Sequence, residues 1–312
     1  MAALPPVRAG VRSLGVPHWG RRFPALAGQS RRPPALRPER PLCYHPLNLG
    51  EGAHVPDQQA DTVELTVVLP CFNGGKVAVD SALALSAFLS GQGVVHEIIV
   101  VDDGSADDTA HRLAALQPPG LRVLVHPGNR GKGAAVKTGL RAMGGRYVVF
   151  TDHDLPYGPA SVSDCLLELR RGAHLVIGDR TLAGSRLEAR VPVMRRFISR
   201  SLLFLIDRFL PRLPTRDTQC GLKGMSSWFA GAVLDRSRID RFSFDLEVVA
   251  IGAANRVPLI PIPVALKQPM DTSPRLLMES ALALRDFFRI AWNVRAGRYQ
   301  VIQGPVSPET AS

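Results

Sequence analysis

Cysteine is scarce in this sequence, and the four that occur, Cys43, Cys71, Cys165 and Cys220, form no CxxC pair. Their number and spacing exclude a zinc ribbon and a disulfide-stabilised scaffold. No stretch approaches about 18 consecutive apolar residues, so the sequence predicts no membrane-spanning helix. Charged residues make up 21% and hydrophobic residues 46% of the 312 residues, which excludes wholesale disorder and suits one large domain with a buried core.

Acidic residues are almost missing from the first fifty positions, which contain eight arginines and a single acid, Glu39. The chain carries a net charge of +11, but most of this excess lies in that segment and the remainder is nearly balanced. A folded region with balanced charge lacks the basic surface that nucleic-acid binding requires. The composition therefore predicts no nucleic-acid partner for the folded domain.

The beginning of the chain is also rich in proline, with ten of the 26 prolines in residues 1–60. This composition supplies no apolar periodicity for a helix or strand, and we interpret residues 1–60 as a disordered arm. Three other interpretations stay open: an organelle transit peptide, a tether to an anionic surface, and a translation start assigned too early. The folded domain is predicted at 61–300, and residues 301–312 are predicted to form a disordered tail.

Apolar runs alternate with helical periodicity in the middle of the chain. Strands are predicted at 65–70, 96–102, 121–126, 147–152 and 175–178, and helices at 77–90, 131–143 and 161–171. Strands that alternate with helices predict an α/β fold, in which a mostly parallel central sheet is flanked by helices on both faces.

The pattern changes after Arg180. Helices are predicted at 193–210, 244–255 and 274–294, a short strand or turn at 221–225, and a strand at 257–266. The last strand contains three prolines, which predict a position at a sheet edge. The segments 193–210 and 274–294 combine arginines with leucines and phenylalanines, a pattern typical either of membrane-interface helices or of ordinary packing against the sheet.

Polar side chains follow three of the predicted strands at the point where each strand ends. These are Asn73 after the first strand, Asp102 and Asp103 at the end of the second, and Asp152 and Asp154 after the fourth. Ligands of open α/β sheets bind beyond the carboxyl ends of the strands. We therefore expect these side chains to converge on one binding site.

Asp152 and Asp154 flank a single residue, His153. Carboxylate oxygens suit Mg²⁺ or Mn²⁺, and Mg²⁺ usually takes one or two carboxylates together with substrate phosphates. The triplet therefore indicates a metal site, with a solvated turn as the alternative. His153 is expected to point away from this site and is not counted as a ligand.

The segment 129–133 reads Asn-Arg-Gly-Lys-Gly and precedes a predicted helix. Glycines, a lysine and a helix N-terminus together suit a phosphate or a sugar diphosphate. The segment fits neither the Walker spacing nor the dinucleotide-binding spacing, so neither an NTPase nor an NAD enzyme is predicted. Asp102 is expected to accept hydrogen bonds from a base edge or a ribose, whereas Ser105 and Asp107 have helix capping as their alternative role.

Six segments occur in a fixed order along the chain, at 67–73, 100–109, 129–133, 151–156, 217–223 and 244–247. In this order they resemble the family 2 glycosyltransferases of the GT-A fold, and more narrowly the dolichyl- or polyprenyl-phosphate hexose synthases. The resemblance covers roughly residues 65–299. It implies a nucleotide-diphospho-sugar transferase domain of the GT-A fold with amphipathic C-terminal helices.

The resemblance also implies roles for individual residues. Nucleotide-sugar binding is implied for Pro70, Phe72, Asn73, Asp102, Asp103, Lys132 and Asp152. Catalysis is implied for Asp152, Asp154, Asp245, Arg180 and Lys132, and metal binding for Asp154 with Asp152. Gln219, Lys223 and Arg180 are implied on the acceptor side. Asp245 and Glu247 are the candidates for a base, with a favourable charge at a helix N-terminus as the alternative.

The sequence departs from the family pattern after Asn73, where the family usually has glutamate and this chain has Gly74. Loss of that carboxylate is expected to weaken nucleotide contacts or to shift the preferred base. A degenerate domain that binds a nucleotide sugar without turnover is therefore one alternative function.

The implied activity is an inverting, metal-dependent transfer of a hexose from UDP-glucose or GDP-mannose to a membrane polyprenyl phosphate of the dolichyl type. The implied cofactor is Mg²⁺ or Mn²⁺. The protein is expected to lie peripherally on the cytoplasmic face of a membrane. A soluble glycosyltransferase acting on a small phosphorylated acceptor is the second alternative.

Overall fold

The computed structural model describes residues 63–115, 118–187, 215, 217–266 and 276–301. The predicted arm, the predicted helix at 193–210 and residues 302–312 of the predicted tail lie outside the described residues. None of the helices formed by the described residues combines the length and the apolar character needed to span a bilayer.

The described strands form one large and one small sheet. They are β1 (Leu65–Cys71), β2 (His96–Asp102), β3 (Leu121–Val125), β4 (Tyr147–Phe150), β5 (Leu175–Asp179), β6 (Arg186–Leu187), β7 (Lys223–Ser226), β8 (Leu259–Pro263) and β9 (Ala265–Leu266). The large sheet has seven strands in the order β3-β2-β1-β4-β7-β5-β8, and β6 pairs with β9 in the small sheet. All pairs in the large sheet are parallel except those of β7, which runs antiparallel to β4 and β5. The predicted mostly parallel sheet is confirmed.

Helices cover both faces of the large sheet. They are α1 (Gly75–Gly91), α2 (Thr109–Ala114), α3 (Lys132–Ala142), α4 (Ala160–Arg170), α5 (Ser227–Arg236), α6 (Phe244–Ala254) and α7 (Leu276–Arg295). Helix α5 was not predicted from the sequence, although Ser226 is a good N-cap residue and its hydroxyl accepts a hydrogen bond from the N–H of Phe229.

Alternate residues of each strand enter two separate hydrophobic cores, because successive side chains of a strand point to opposite faces. Val68 and Ile99 pack on one face with residues of α3, α5, α6 and α7. Val67, Leu69 and Val100 pack on the other face with residues of α1, α2 and α4. Strands buried on both faces explain the unbroken apolar runs in the sequence.

The proline-containing segment after α6 forms two strands instead of the single strand predicted at 257–266. Its first part, β8, lies at the end of the strand order in the large sheet, and its second part, β9, leaves that sheet and pairs with β6. The predicted edge position is confirmed, because proline has no N–H to donate to a further strand.

Candidate functional site

The carboxyl ends of β1, β2 and β4 meet at one edge of the large sheet, as predicted for parallel strands. Cys71 is aligned with Asp102 at the ends of β1 and β2, and Phe150 at the end of β4 is aligned with Lys223. Because β7 is antiparallel, its first residue lies at the edge where the parallel strands end. The segment 217–223 thereby reaches the same edge, although it is distant in sequence.

A cavity of about 630 Å³ opens at this edge. Its wall is formed by the end of β1, the first turn of α3, the loop after β4, the segment before α6 and one side of α7. This volume lies in the range of pockets that hold small molecules and cofactors. Of the residues to which the resemblance assigns nucleotide-sugar binding, the wall contains Pro70, Phe72, Asp103, Lys132 and Asp152.

Two lysines and two aspartates form a continuous ion-pair network at the cavity. Nζ of Lys132 lies 2.7 Å from Oδ1 of Asp152 and 3.1 Å from Oδ2 of Asp245. Nζ of Lys223 lies 2.8 Å from Oδ1 of Asp245. Asp245 therefore joins the two lysines. Its Oδ1 accepts a hydrogen bond from Lys223, whereas its Oδ2 forms an ion pair with Lys132 but has no hydrogen-bond partner among the described residues.

The network determines the charge of its members. Burial favours the neutral amine of Lys132, but the carboxylates of Asp152 and Asp245 outweigh that effect and raise the pKa of Lys132. Burial also favours the protonated form of Asp245, but Lys132 and Lys223 outweigh it and lower the pKa of Asp245. Lys132 is thus a stable cation in the cavity wall, and Asp245 is a weak base.

Lys223 is fully buried, and its ammonium group donates to the backbone as well as to Asp245. Nζ lies 2.6 Å from the carbonyl oxygen of Cys220 and 3.4 Å from that of Thr218. These acceptors engage the three hydrogens of the ammonium group. These contacts indicate that Lys223 holds the segment 217–223 against α6, and the placement of Lys223 on the acceptor side stays a prediction.

Asp154 is half-buried and has neither an ion pair nor a side-chain hydrogen bond to the described residues. Burial, and secondly the carboxylate of Asp152, raise the pKa of Asp154. The protein therefore leaves an anion at this position poorly compensated. Leu155 follows with a φ of 46°, in the left-handed region that costs about 1–2 kcal/mol.

We call Asp152 and Asp154 the loop acids, and their oxygens suit a divalent cation. Among the described residues, no three His, Cys, Asp or Glu side chains gather around one point as a closed metal site. Mg²⁺ commonly takes only one or two carboxylates and is completed by water and substrate phosphates. Because Lys132 already pairs with Asp152, the poorly compensated Asp154 fits a cation that a bound diphosphate completes.

Asp102 ends β2 and is 1% exposed. Its Oδ1 accepts hydrogen bonds from the backbone N–H of Ser105, at 3.3 Å, and from the hydroxyl of the same residue. Its Oδ2 is buried and has no hydrogen-bond partner in the described part of the chain. An unsatisfied buried group costs about 1–3 kcal/mol. Asp102 is not among the residues that line the cavity, and its contact with a nucleotide stays a prediction.

Asp103, by contrast, is satisfied by the protein. Its Oδ1 lies 2.7 Å from Nδ1 of His126 and accepts from the N–H of Arg130 at 3.0 Å. Its Oδ2 accepts from the N–H of Gly131 at 2.7 Å. Gly131 has a φ of 102°, which residues with side chains rarely adopt. Asp103 therefore lies in the wall but acts mainly by fastening the glycine-rich loop that positions Lys132.

Asn73 connects the end of β1 to the loop after β2. Its Oδ1 accepts from the N–H of Ala106 at 2.9 Å, and its N–H donates to Oγ of Ser105 at 2.8 Å. Asn73 is not part of the cavity wall, whereas the neighbouring Phe72 is, with 39% of its surface exposed. Asn73 thus orders the loop next to Asp102, and its direct contact with a nucleotide stays a prediction.

Arg180 follows β5 and forms a two-point ion pair with Asp217. Nε lies 2.7 Å from Oδ2 and Nη2 lies 2.6 Å from Oδ1 of that residue. Burial disfavours the charge, but Asp217 outweighs it and raises the pKa of Arg180. Gln219 is half-buried in the same segment. Phosphate binding by Arg180 and acceptor binding by Gln219 stay predictions.

Gly221 explains how the segment 217–223 comes so close to the ion-pair network. A Cβ atom at this position would lie 2.3 Å from Oδ2 of Asp152 and 3.2 Å from Nζ of Lys132. Any side chain would therefore displace the ion pair in the cavity wall. The glycine was part of a recognised segment, but its steric role was not predictable from its spacing.

Glu247 is fully buried and does not line the cavity. Its carboxylate accepts hydrogen bonds from the N–H groups of Arg238 and Ile239 and, at 2.6 Å, from the hydroxyl of Tyr299. Burial is the main cause of a raised pKa for Glu247. These contacts support a structural role for Glu247 and not the role of a catalytic base, for which it was a candidate.

Several parts of the cavity wall were not predicted, among them His153, the segment 241–243 and the side of α7 that contains Leu282, Ala283 and Asp286. His153 was expected to point away from the metal site and not to act as a ligand; the structure places the residue in the cavity wall, with Cδ2 of its ring beside Gly74. Nζ of Lys132 lies 5.5 Å from the centroid of the Phe242 ring, a cation–π contact. Asp286 is 3% exposed. The sequence offered one indication that Asp286 belongs to the site, namely an acidic residue on the apolar side of a predicted helix.

Comparison of the sequence with known proteins assigns the chain to a family. The sequence family described as Glycosyl transferase family 2 matches residues 66–227, just over half of the chain. A dolichyl-phosphate beta-glucosyltransferase of Trichomonas vaginalis is 28% identical over 77% of this chain and 74% of its own length. The mouse (Mus musculus) dolichyl-phosphate beta-glucosyltransferase is 30% identical over 65% of this chain and 67% of its own length.

Solved structures share the fold at low sequence identity. Mannosyl-3-phosphoglycerate synthase from Rubrobacter xylanophilus superposes with a TM-score of 0.59 at 17% identity and covers 77% of both chains. Glucosyl-3-phosphoglycerate synthase from Mycobacterium tuberculosis, in complex with Mn²⁺, UDP-Glc and phosphoglyceric acid, has a TM-score of 0.57 at 21% identity. It covers 73% of this chain and 80% of that chain. At these identities the likeness establishes the GT-A fold.

Proposed function

The chain belongs to glycosyl transferase family 2, and on that premise we propose that it transfers a hexose from a nucleotide sugar to a polyprenyl phosphate of the dolichyl type. The observation that carries the proposal is the cavity at the strand ends, in whose wall Lys132 and Asp152 form an ion pair. The dolichyl-phosphate beta-glucosyltransferases among its relatives support this acceptor, because they align over two thirds or more of their own length.

The donor side of the cavity suits a nucleoside diphosphate sugar. Pro70 and Phe72 supply apolar surface for a base, and the unsatisfied Oδ2 of Asp102 offers an acceptor at the end of the neighbouring strand. Lys132 supplies a fixed positive charge for a diphosphate. UDP-glucose and GDP-mannose are the two donors that an experiment has to compare.

We propose that Mg²⁺ or Mn²⁺ binds at Asp154, with Asp152 beside it. A bound divalent cation neutralises charge that develops on a leaving diphosphate. Lys132 would contribute in the same direction, because Asp152 and Asp245 keep its ammonium group charged. A structure of the same fold that contains Mn²⁺ and UDP-Glc supports this assignment.

The chemistry requires little help from a base. A phosphate oxygen of the acceptor forms the bond to the anomeric carbon, while the bond from that carbon to the nucleoside diphosphate breaks. The second pKa of a phosphate monoester is about 6, so this oxygen is largely anionic at neutral pH. The lowered pKa of Asp245 fits this scheme, in which Asp245 holds Lys132 charged and in position.

The outer face of α7 supports a peripheral membrane contact. Leu284, Phe288 and Trp292 are 43%, 49% and 63% exposed and recur every four residues, so they share one side of the helix. Arg285 and Arg289 are exposed next to them. An apolar stripe with flanking arginines suits the interface of an anionic bilayer. The cytoplasmic side of that bilayer stays a prediction.

The proposed function is tested by transfer of labelled sugar from UDP-glucose and from GDP-mannose into organic-extractable lipid, with polyprenyl phosphate and Mg²⁺ or Mn²⁺. A lipid product with one donor is expected, and it should be lost in Lys132→Met but retained in the control Lys76→Met, whose lysine is 75% exposed. Label only in a water-soluble product would favour a soluble enzyme with a small phosphorylated acceptor. Nucleotide binding without any product would favour a degenerate binding domain.

Membrane contact is tested separately by flotation with vesicles that contain anionic lipid. Leu284→Gln is expected to reduce the bound fraction several-fold. Leu167→Gln is the matched control, because Leu167 of α4 has a similar exposure of 46%. Equal binding of both variants to the vesicles would show that α7 does not contact the membrane.

A further inference from the structure

Gly74, which stands where the family usually has glutamate, is required by its surroundings and not by its backbone conformation. Its φ of −86° and ψ of −18° are ordinary helical values that any residue adopts. A Cβ atom at Gly74, however, would lie 2.6 Å from Sγ of Cys71, 2.8 Å from Cδ2 of His153 and 3.0 Å from Cβ of Ala78. The space in which a side chain would begin is therefore already filled.

His153 is one of the three side chains that fill this space, and the residue also forms part of the cavity wall. The ring is half-buried, and its nitrogens form no hydrogen bond with the described residues. A neutral imidazole carries one donor and one acceptor. His153 therefore lies in the cavity wall, next to Asp152, with hydrogen-bonding groups that the described residues leave unused.

Cys71 separates the same cavity from the core. It is 2% exposed, and burial is the main cause that raises the pKa of its thiol to about 12. The thiol therefore stays neutral and acts as an apolar neighbour of His153. Pro70, Cys71 and Phe72 at the end of β1 form an apolar part of the cavity wall. His153, from the loop after β4, contributes a polar side chain to the same wall.

We propose that His153 contacts the nucleoside diphosphate part of the donor, and that Gly74 is a positioning residue that leaves room for the imidazole ring. This inference rests on the proposed function. It reverses the expectation from the family pattern, because Gly74 is not a lost contact that a side chain would restore. Any side chain at position 74 instead displaces the ring from the cavity wall.

The test measures binding of UDP and of GDP at saturating Mn²⁺ by calorimetry, together with KM and kcat for the donor. His153→Ala is expected to weaken binding of the accepted nucleotide and to raise the donor KM by about five- to tenfold, as for one lost hydrogen bond. The kcat should change less than twofold. His153→Gln, which keeps a donor and an acceptor, should recover part of the affinity.

Gly74→Ala should weaken binding to a similar degree, because the added methyl group moves the ring. The double variant Gly74→Ala/His153→Ala should be no weaker than His153→Ala alone, since the two changes remove the same contact. Matched controls are Gly91→Ala, where an added Cβ meets nothing within 4 Å, and His111→Ala, at an exposed position. Both controls should stay within twofold of the wild type, and thermal unfolding reports whether each variant folds.

Wild-type affinity in His153→Ala, or additive losses in the double variant, would overturn the inference while leaving the proposed function in place. If Gly74→Ala does not fold, His153→Ala and His153→Gln still decide the role of the imidazole. If the wild-type protein binds neither nucleotide, the proposed function fails, and the inference fails with it.

Discussion

Two groups of acids lie at or near the same end of the large sheet, and they differ in what surrounds their carboxylates. The loop acids, Asp152 and Asp154, are partly exposed, and Asp154 has no partner in the described part of the chain. The buried acids, by which we mean Asp103, Asp245 and Glu247, are each at most 3% exposed. They accept hydrogen bonds or ion pairs from backbone N–H groups, lysines or a tyrosine.

The difference shows that position at a strand end does not determine what an acid does. A carboxylate whose oxygens are already engaged stabilises the loops around it, and a ligand gains little from it. A carboxylate that the protein leaves poorly compensated is available for a cation or a substrate. The following predictions test this division, beginning with the largest expected effect.

Asp154→Asn should abolish most transfer activity and leave folding intact. We expect kcat to fall on the order of a thousandfold, because an anionic ligand of the proposed cation is lost. The melting temperature should not fall, since Asp154 forms no ion pair among the described residues and its neutral replacement relieves repulsion from Asp152. Activity equal to wild type in this variant, or in excess chelator, would contradict the metal assignment.

Lys223→Met should destabilise the protein by about 3–5 kcal/mol, because Asp245 and two backbone carbonyls lose a buried partner. The measurement is the free energy of unfolding in urea, with Lys76→Met as the exposed control. The acceptor KM of the folded fraction should stay unchanged. A raised acceptor KM without loss of stability would show that Lys223 contributes to acceptor binding.

Asp103→Asn should cost about 2 kcal/mol of stability, because an amide cannot accept from three donors as a carboxylate does. Urea unfolding measures this loss, and Asp108→Asn on the exposed start of α2 serves as the control with no measurable change. Any loss of nucleotide affinity in the folded variant should be indirect, because Asp103 orders the glycine-rich loop and is not itself expected to bind the nucleotide. A stable variant with weak nucleotide binding would place Asp103 among the ligand-binding acids.

Glu247 should contribute a small pH dependence to stability. Its pKa in the folded state is raised above 4.5, so the folded state binds more protons than the unfolded state, and stability falls as pH rises through the raised pKa. Glu247→Gln does not titrate. The measured quantity is the difference in the free energy of unfolding between the wild type and Glu247→Gln. This difference should decrease as the pH rises above about 4.5, by at most about 1.4 kcal/mol per pH unit. A difference that grows with pH would contradict this assignment.

The location of the candidate site was predicted from local patterns. Apolar runs that end in Asp102 and in the loop acids predicted parallel strands with polar ends, and the glycines around Lys132 predicted a helix start at the same edge. The structure confirms both features and brings Lys132 to Asp152. These predictions succeeded because strand periodicity and helix starts depend on neighbouring residues.

Individual roles were less accessible. Asp103 and Lys223 have the residue types of a binding site. Each is hydrogen-bonded to a residue that is distant in sequence, Asp103 to His126 and Lys223 to Asp245. The packing of His153 against Gly74 was not predicted, because it joins two loops that are far apart in sequence. No local pattern reports which of several nearby charges a carboxylate will meet.

The sequence by itself determined the α/β fold, the edge at which the candidate site lies and several of the residues that reach that edge. The tertiary structure decided which of those residues face the cavity and which are engaged by the protein. The physical reason is that burial and periodicity are properties of short segments. The satisfaction of a charge depends on the whole set of groups that packing brings within hydrogen-bond distance.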